Sequence, residues 1–204
     1  IEAQWKAPNK ADFYRIEIET GKSTLIGKGL AYTGELSADG RYFSYYTSAG
    51  QKWILLDIEK QSSVCMNCNR KEIRWEEDLN GQPMEAGPIG FIGYGKNAET
   101  VYFQSEFDCW AYEVASKKLV SLSNEMATKE KIELRFERFN YDSLWVTLEE
   151  GYFIGLRKSN KNELLYTYKK DGGLSLQFEG AQRIASLGKA EKSNIYILRK
   201  MDVA

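Results

Sequence analysis

The sequence contains no histidine among its 204 residues. Histidine is the usual general base beside a serine or cysteine nucleophile, and it is the commonest metal ligand in proteins. No G-x-S-x-G nucleophile elbow occurs either. A hydrolytic triad of the usual kind therefore cannot be assembled from this chain alone, and we assign no catalytic residue to it.

Cysteine is scarce as well. Cys65 and Cys68 form a C-M-N-C pair, and Cys109 stands alone. A closed zinc site needs about four soft or imidazole ligands, so we predict no metal and no cofactor. A thioredoxin-type pair would open a helix after a strand, whereas polar residues follow Cys65 here. We interpret the three cysteines as buried or loop thiols rather than as a redox pair, and we predict no disulfide framework.

The sequence also lacks long runs of one charge sign and long apolar runs. The net charge is -1 and both signs are interspersed, which predicts no nucleic-acid partner. No apolar run approaches the length of a membrane span. The chain starts at Ile1 without a signal-peptide pattern, so we expect a mature product or an excised piece. A periplasmic or secreted parent is favoured over a cytoplasmic one.

Aromatic residues are abundant where proline is rare. The chain has 13 tyrosines, 9 phenylalanines and 5 tryptophans against 3 prolines, and 43% of its residues are hydrophobic. Aromatic side chains are enriched in strands, and this hydrophobic content suffices for a packed core. The composition therefore predicts a folded, strand-rich protein.

One layout of turns and alternating strands recurs along the chain. In its clearest copy, residues 30–33 form a short inner strand, Asp39-Gly40 makes a turn, and strands follow over 41–47 and 52–58. The repeat length is roughly 50 residues, which is typical of propeller blades. The predicted blade-like repeats span residues 12–26 (partial), 30–66, 89–122, 132–178 and 182–199 (partial).

We predict an all-β fold, a β-propeller segment of four-stranded antiparallel blades. It has about three full blades plus partial blades at both ends, within a single partial domain over 1–204. The run from Trp53 to Leu56 lacks alternation, as expected of a strand covered on both faces. An antiparallel sandwich is the main alternative.

Two glycine motifs resemble nucleotide sites but lack the required context. Gly21 to Thr24 reads G-K-S-T, yet Ile16 stands where a phosphate-binding loop needs its first glycine. Gly93 to Ala98 fits G-x-G-x-x-A, but a strand-like segment follows where a dinucleotide site needs a helix. We interpret both motifs as turns.

The stretch from Arg74 to Val114 resembles the N-terminal propeller of S9 (prolyl oligopeptidase and dipeptidyl-peptidase IV-like) serine peptidases, particularly those of Bacteroidetes. The similar pieces are E-E-D at residues 76–78, G-P-I-G-F-I-G-Y at 87–94 and F-D-C-W at 107–110. L-V-S-L-S-N at 119–124 is similar to a further family strand. Ile89 and Tyr94 replace the tyrosine and tryptophan of the family pattern.

The resemblance implies a role without catalysis in this chain. In that family the catalytic residues lie in an α/β-hydrolase domain that follows the propeller, and none of that domain is present here. The chain would then gate or frame the access of a peptide substrate to that domain. The main alternative is a stand-alone TolB-like propeller that binds a protein or a glycan, and an enzyme in its own right comes third.

The resemblance also implies one candidate site. In the dipeptidyl-peptidase branch, a glutamate pair binds the free amino terminus of the substrate, and Glu76-Glu77 stands in a comparable place. An ammonium in a confined cavity needs carboxylate acceptors. The competing interpretation is a solvated acidic turn, as for Glu149-Glu150. We also expect the chain to self-associate, because an incomplete ring leaves open sheet edges.

Overall fold

The protein is described by a computed structural model covering residues 10–32, 34–170, 172–193 and 195–202. Within these ranges the chain forms sixteen strands and one short helix. The elements are β1 (Ala11–Ile16), β2 (Ser23–Leu30), β3 (Glu35–Leu36), β4 (Tyr42–Thr47), β5 (Lys52–Asp57), β6 (Ser62–Cys65), β7 (Gly90–Tyr94), β8 (Thr100–Gln104), β9 (Cys109–Glu113), β10 (Lys118–Ser121), α1 (Met126–Glu130), β11 (Ile132–Arg138), β12 (Gly151–Arg157), β13 (Glu163–Lys169), β14 (Gly173–Gly180), β15 (Arg183–Lys189) and β16 (Tyr196–Met201).

The strands form blade-type sheets. Three sheets have four strands each in chain order, β3 to β6, β7 to β10 and β11 to β14. Hairpins β1–β2 and β15–β16 form two-stranded sheets near the two ends of the described chain. Four-stranded meanders of this kind are the repeating unit of propellers. The prediction of an all-β chain with about three full blades and partial blades at both ends is confirmed.

The chain divides into two compact units, residues 1–90 and 91–204. In the first unit, buried Phe43, Leu56 and Ile58 form a cluster, and Phe13 and Ile26 of the β1–β2 hairpin pack against it. The rings of Phe13 and Phe43 lie 5.4 Å apart, centroid to centroid. The partial blade is therefore joined to the next sheet by an apolar core.

The burial of strand β5 on both faces explains why apolar and polar residues do not alternate in its sequence. Trp53, Leu55 and Leu56 are buried although adjacent residues point to opposite faces of the sheet. At the preceding turn, Asp39 accepts hydrogen bonds from Ser37 Oγ at 2.6 Å and from the Arg41 N–H at 3.1 Å. The predicted Asp39-Gly40 turn is thus present.

In the second unit, the two four-stranded sheets share one core. It includes Cys109 of β9, Leu134 of β11, Phe153 of β12 and Leu164 of β13, each fully buried. The backbone also joins the sheets, since the Leu134 N–H donates to the carbonyl of Phe107 at 3.1 Å. Burial raises the pKa of the Cys109 thiol, which agrees with its interpretation as a buried thiol.

A buried carboxylate organises the segment between β10 and β11. Asp108 accepts hydrogen bonds from the Cys109 N–H at 2.8 Å and from the hydroxyls of Ser121 and Ser123 at 2.7 Å each. The serine oxygens in turn accept the N–H groups of Glu125 and Ala127 at the start of α1. The F-D-C-W segment therefore positions the start of α1.

The first predicted inner strand lies elsewhere. Residues 30–32 do not form it, because Leu30 ends β2 by pairing with Ala11. The inner strand of that sheet is β3, which begins five residues after Leu30 and pairs with β4. Tyr32 is used in a tertiary contact instead, and its hydroxyl donates to the carbonyl of Glu85 at 2.7 Å. Thr33, the last residue of the predicted strand, lies outside the described residues.

The interpretation of Cys65 and Cys68 as thiols is wrong. The two form a disulfide with a Cα–Cα distance of 5.6 Å. Cys65 ends strand β6 and the chain turns back after it, so the two side chains meet across a tight loop. A strand end followed by a turn brings an i, i+3 pair together as readily as a helix start does, which the sequence argument did not consider.

The two glycine motifs are turns, as predicted. Gly21 has a φ of 69° and its N–H donates to the carbonyl of Glu17 at 2.7 Å, between β1 and β2. After Gly93, a 3-10 turn over Lys96–Ala98 leads into strand β8 rather than into a helix. Neither segment offers the helix N-terminus that a phosphate site requires.

Within the described ranges, β1 and β16 each pair with one strand only, and both expose apolar side chains. Ile16 of β1 is 62% exposed and Ile197 of β16 is 75% exposed. We expect Ile16→Lys/Ile197→Lys to weaken self-association of the chain by about tenfold or more, since each buried isoleucine contributes about 1.5–3 kcal/mol. Sedimentation equilibrium over a concentration series measures this change.

Leu144→Lys is the matched control, because Leu144 is equally exposed but lies outside every strand. It should leave the association constant unchanged. A wild-type chain that stays monomeric at high concentration would contradict the expectation of self-association through open edges.

Candidate functional site

The predicted site residues lie in an excursion between β6 and β7. Glu76 forms an isolated antiparallel bridge with Pro88. On either side of it, the Glu77 N–H donates to the Gly87 carbonyl at 2.9 Å, and the Ile89 N–H donates to the Trp75 carbonyl at 3.1 Å. The excursion over residues 78–86 is therefore closed at its base, and its two flanks are fixed to each other.

Both glutamates face the same tyrosine. Burial raises the pKa of Tyr32, and the negative charges of Glu85, Glu77 and Glu76 raise it further. Tyr32 itself is half-buried, and its ring lies against Gly87, where an added Cβ would approach ring atom Cε1 to 3.1 Å. The fold thus brings the charges of three carboxylates, from both flanks of the excursion, close enough to act on one tyrosine hydroxyl.

A second tyrosine lies beneath the first. The rings of Tyr32 and Tyr46 are 6.0 Å apart in an edge arrangement, and Tyr46 is also 5.3 Å from Trp53. Tyr46 is only 1% exposed, and Glu76 is the carboxylate that its buried hydroxyl faces. Burial raises its pKa, and the negative charge of Glu76 adds to this effect. The hydroxyl of Tyr46 therefore lies within the reach of the Glu76 carboxylate, deep in the first unit.

Glu85 connects this cluster to an open cleft. One carboxylate oxygen of Glu85 accepts a hydrogen bond from Ser48. Glu85, Ser48 and Tyr46 line a cleft of about 270 Å³, whose other described lining residues include Lys10 and Lys28. Glu76 and Glu77 are not among those lining residues, so Glu85 is the acidic residue of the cluster that reaches the cleft directly.

We name this group the acid–tyrosine cluster: Tyr32, Tyr46, Glu76, Glu77 and Glu85. Carboxylates beside aromatic faces attract an ammonium through charge-assisted hydrogen bonds and through the ring quadrupole. The lysines on the same cleft supply positive charge for the other end of a zwitterionic ligand. The cluster can therefore hold a primary amine, but it offers no nucleophile with an adjacent base.

The sequence argument found two of the three carboxylates. Glu85 was missed because its neighbours in the chain are ordinary loop residues, and its partners Tyr32 and Ser48 lie 53 and 37 positions away. The sequence contains no signal for such a pairing. The other acidic pair, Glu149-Glu150, is exposed on a 3-10 turn, as its interpretation as a solvated turn implies.

The described residues contain no group of three or more cysteine, aspartate and glutamate side chains placed to hold a metal ion. No helix in those ranges is long and apolar enough to cross a membrane.

Comparisons with known proteins concern the fold alone. No protein-family model matches the chain, and no curated protein matches it. Among solved structures, TolB from Acinetobacter baumannii is similar at 10% identity and a TM-score of 0.44, covering 96% of this chain and 47% of that one. An oligogalacturonate lyase in complex with manganese is similar at 10% identity and a TM-score of 0.36, covering 89% and 62%. A chain of a mitotic checkpoint complex has 9% identity and a TM-score of 0.26, covering 93% and 78%. The chain thus spans about half of the TolB chain.

Proposed function

We propose that this chain is the non-catalytic propeller portion of an S9-type serine peptidase and that it binds the free amino end of a peptide substrate. The observation that carries the proposal is the acid–tyrosine cluster, in which the charges of Glu76, Glu77 and Glu85 act on Tyr32 and the Tyr32 ring lies 6.0 Å from that of the buried Tyr46. The sequence resemblance over residues 74–114 supports the family, and the blade-type sheets agree with it. In this role the chain frames a substrate for a hydrolase domain elsewhere in the parent protein.

The chemistry of the cluster favours an ammonium over other groups. Each carboxylate accepts hydrogen bonds and contributes negative charge, while the buried Tyr46 hydroxyl stays protonated because its pKa is raised. A peptide amino terminus supplies three donors for such acceptors, whereas an acylated terminus supplies only one neutral donor. Discrimination between free and blocked amino ends is therefore the expected property of the site.

The Cys65–Cys68 disulfide supports a periplasmic or secreted parent for this function. Disulfides persist in oxidising compartments and are rare in the cytosol of most organisms.

We expect the double substitution Glu76→Gln/Glu77→Gln to weaken binding of a free-amine dipeptide by about ten- to a hundredfold, since hydrogen bonds to charged groups contribute about 1.5–3 kcal/mol. Isothermal titration of the chain with Ala-Ala and with N-acetyl-Ala-Ala measures the effect. In the parent protein, release of dipeptides from free-amine substrates should fall in parallel.

Glu149→Gln/Glu150→Gln is the matched control, because it removes the same charge from an exposed turn in the other unit. It should bind Ala-Ala as the wild type does. Equal binding of free and acetylated dipeptides, or unchanged binding after removal of Glu76 and Glu77, would reject the proposed site.

The alternative function is that of a stand-alone TolB-like propeller that binds a protein or a glycan. The gene of the parent protein separates the two hypotheses. A G-x-S-x-G segment followed by aspartate and histidine, encoded downstream of residue 204, supports the peptidase. A stop codon soon after residue 204 supports the binding module and removes the peptidase function.

A further inference from the structure

A second cleft, of about 440 Å³, lies beside the disulfide in the first unit. Its charged lining residues are Lys52, Arg70 and Lys71, and its less polar lining residues include Cys68, Ile73 and Trp75. A cleft of this volume is the size of a typical small-molecule site. Neither the sequence motifs nor the proposed function assigns a role to it.

The walls of this cleft are preformed by a buried amide. Asn67 is only 3% exposed, its Oδ1 accepts the Trp53 N–H at 2.9 Å, and its Nδ2 donates to the Gln51 carbonyl at 2.8 Å. The carbonyl of Asn67 accepts the Arg70 N–H at 3.0 Å. The segment that follows the disulfide is therefore attached to the β4–β5 turn and to β5.

Trp75 fixes the far end of the same segment. Its indole N–H donates to the Arg70 carbonyl at 3.2 Å, and its backbone N–H donates to Gln51 Oε1 at 2.9 Å. Trp75 is 2% exposed, so its ring forms part of the wall rather than a movable cover. Both ends of the 67–75 segment are thus held on the same turn.

The charge balance of the cleft is positive. Arg70 is paired with Glu72 at 2.5 Å. Lys52 and Lys71, by contrast, have no carboxylate within 4 Å in the described ranges. Two ammonium groups without an acidic partner in the described ranges, on a cleft that Ile73 and Trp75 also line, attract an anion that carries an apolar body.

We infer that this cleft binds a small organic carboxylate, with the carboxylate at Lys52 and Lys71 and the apolar body against Ile73, Trp75 and the disulfide. The Cys65–Cys68 bond contributes by fixing Cys68, which lines the cleft, to the end of β6. A fixed wall lowers the ordering cost of binding. This inference is independent of the proposed function, since it uses none of the residues of the acid–tyrosine cluster.

The probes for the test are N-acetyl-L-phenylalanine and its neutral amide, which share the apolar body and differ in charge. We expect the carboxylate to bind at least about tenfold more tightly than the amide, and the difference to shrink as salt screens the lysines. Titration calorimetry, supported by chemical shifts of the Trp75 indole N–H, measures both affinities and places the ligand. Equal affinities of the two probes would overturn the inference.

Lys52→Ala/Lys71→Ala should reduce the affinity for the carboxylate to that for the amide. Lys117→Ala/Lys129→Ala is the matched control, since both lysines are exposed in the other unit, and it should bind as the wild type does. A Lys52→Ala/Lys71→Ala variant that folds, as judged by its circular dichroism, and keeps the wild-type affinity would overturn the inference.

A separate arm tests the disulfide. Cys65→Ser/Cys68→Ser should bind the carboxylate several-fold more weakly while keeping the preference over the amide. Treatment of the wild-type chain with dithiothreitol should reproduce that loss. Unchanged affinity after both treatments would remove the disulfide from the inferred site.

Discussion

Asp108→Ala is expected to lower the free energy of unfolding by about 3–5 kcal/mol, because it leaves three buried donors without an acceptor. Those donors are the Cys109 N–H and the hydroxyls of Ser121 and Ser123. The loss of stability also affects the start of α1, because the same two serine oxygens accept the N–H groups of Glu125 and Ala127. Urea denaturation followed by circular dichroism measures the change.

Asp142→Ala is the control for this prediction, since Asp142 is exposed and only its backbone N–H is used locally. It should change the unfolding free energy by no more than about 0.5 kcal/mol. An Asp108→Ala variant as stable as this control would show that the buried network contributes nothing.

The charge of Asp108 adds a pH dependence of known sign. Burial raises the pKa of this carboxyl, and the hydrogen bonds from Ser123 and Ser121 oppose that effect without cancelling it. Because the folded pKa lies above the unfolded value of about 3.9, the folded state binds the proton more tightly. The stabilising contribution of protonation is complete below the unfolded pKa and is lost as the pH rises through the folded pKa.

The stability of the wild type relative to Asp108→Asn should therefore fall over that pH interval, since asparagine does not titrate. Urea denaturation of both proteins at several pH values from 3 upward measures the difference. A difference that rises with pH would contradict the direction of the shift.

Gly93→Ala is expected to destabilise the chain by about 2–6 kcal/mol, for two additive reasons. Gly93 has a φ of 137°, a conformation that other residues adopt only at a cost of about 1–3 kcal/mol. An added Cβ would also overlap Arg138 Nη2 and lie 2.8 Å from Val146 Cγ2. Arg138 has little room to move away, because it donates to the Ile92 carbonyl. Overpacking of this kind costs about 1–3 kcal/mol.

Gly188→Ala is the matched control within the same unit. It lies in strand β15 with nothing within 4 Å of an added Cβ, so the substitution should be neutral or slightly stabilising. Similar urea midpoints for the two variants would show that the close approach at Gly93 costs nothing.

The sheets could be predicted because their signals are local. Residues 41–47 alternate and an Asp39-Gly40 turn precedes them, so strand β4 and the turn before it follow from local sequence signals. The strand over Trp53 to Leu56 was interpreted as buried on both faces because its apolar run lacks that alternation, which is also a local signal. The errors fell where long-range contacts compete with local preference. Leu30 pairs with Ala11 and Tyr32 bonds to Glu85, so the predicted inner strand did not form there.

The candidate site could be predicted only in part. Glu76 and Glu77 were found from a motif, but no motif connects them to Glu85, Tyr32 or the buried Tyr46 hydroxyl. The Cys65–Cys68 disulfide was rejected on an argument about helices, although a tight loop after β6 brings the two cysteines together. Such sites depend on the direction in which the side chains of each strand point. The spacing of residues along the sequence does not give this direction.

The sequence alone determined the all-β class, the blade-length repeat and the absence of histidine-dependent chemistry, because composition and periodicity act within a few residues of each position. Only the tertiary structure decided which charges meet. It brought the charges of Glu76, Glu77 and Glu85 to act on Tyr32, buried Asp108 among serine hydroxyls and placed Lys52 and Lys71 on the cleft that Cys68 lines. Electrostatic energy depends on separation in space, and residues 53 positions apart in the chain become neighbours only when the strands between them have folded.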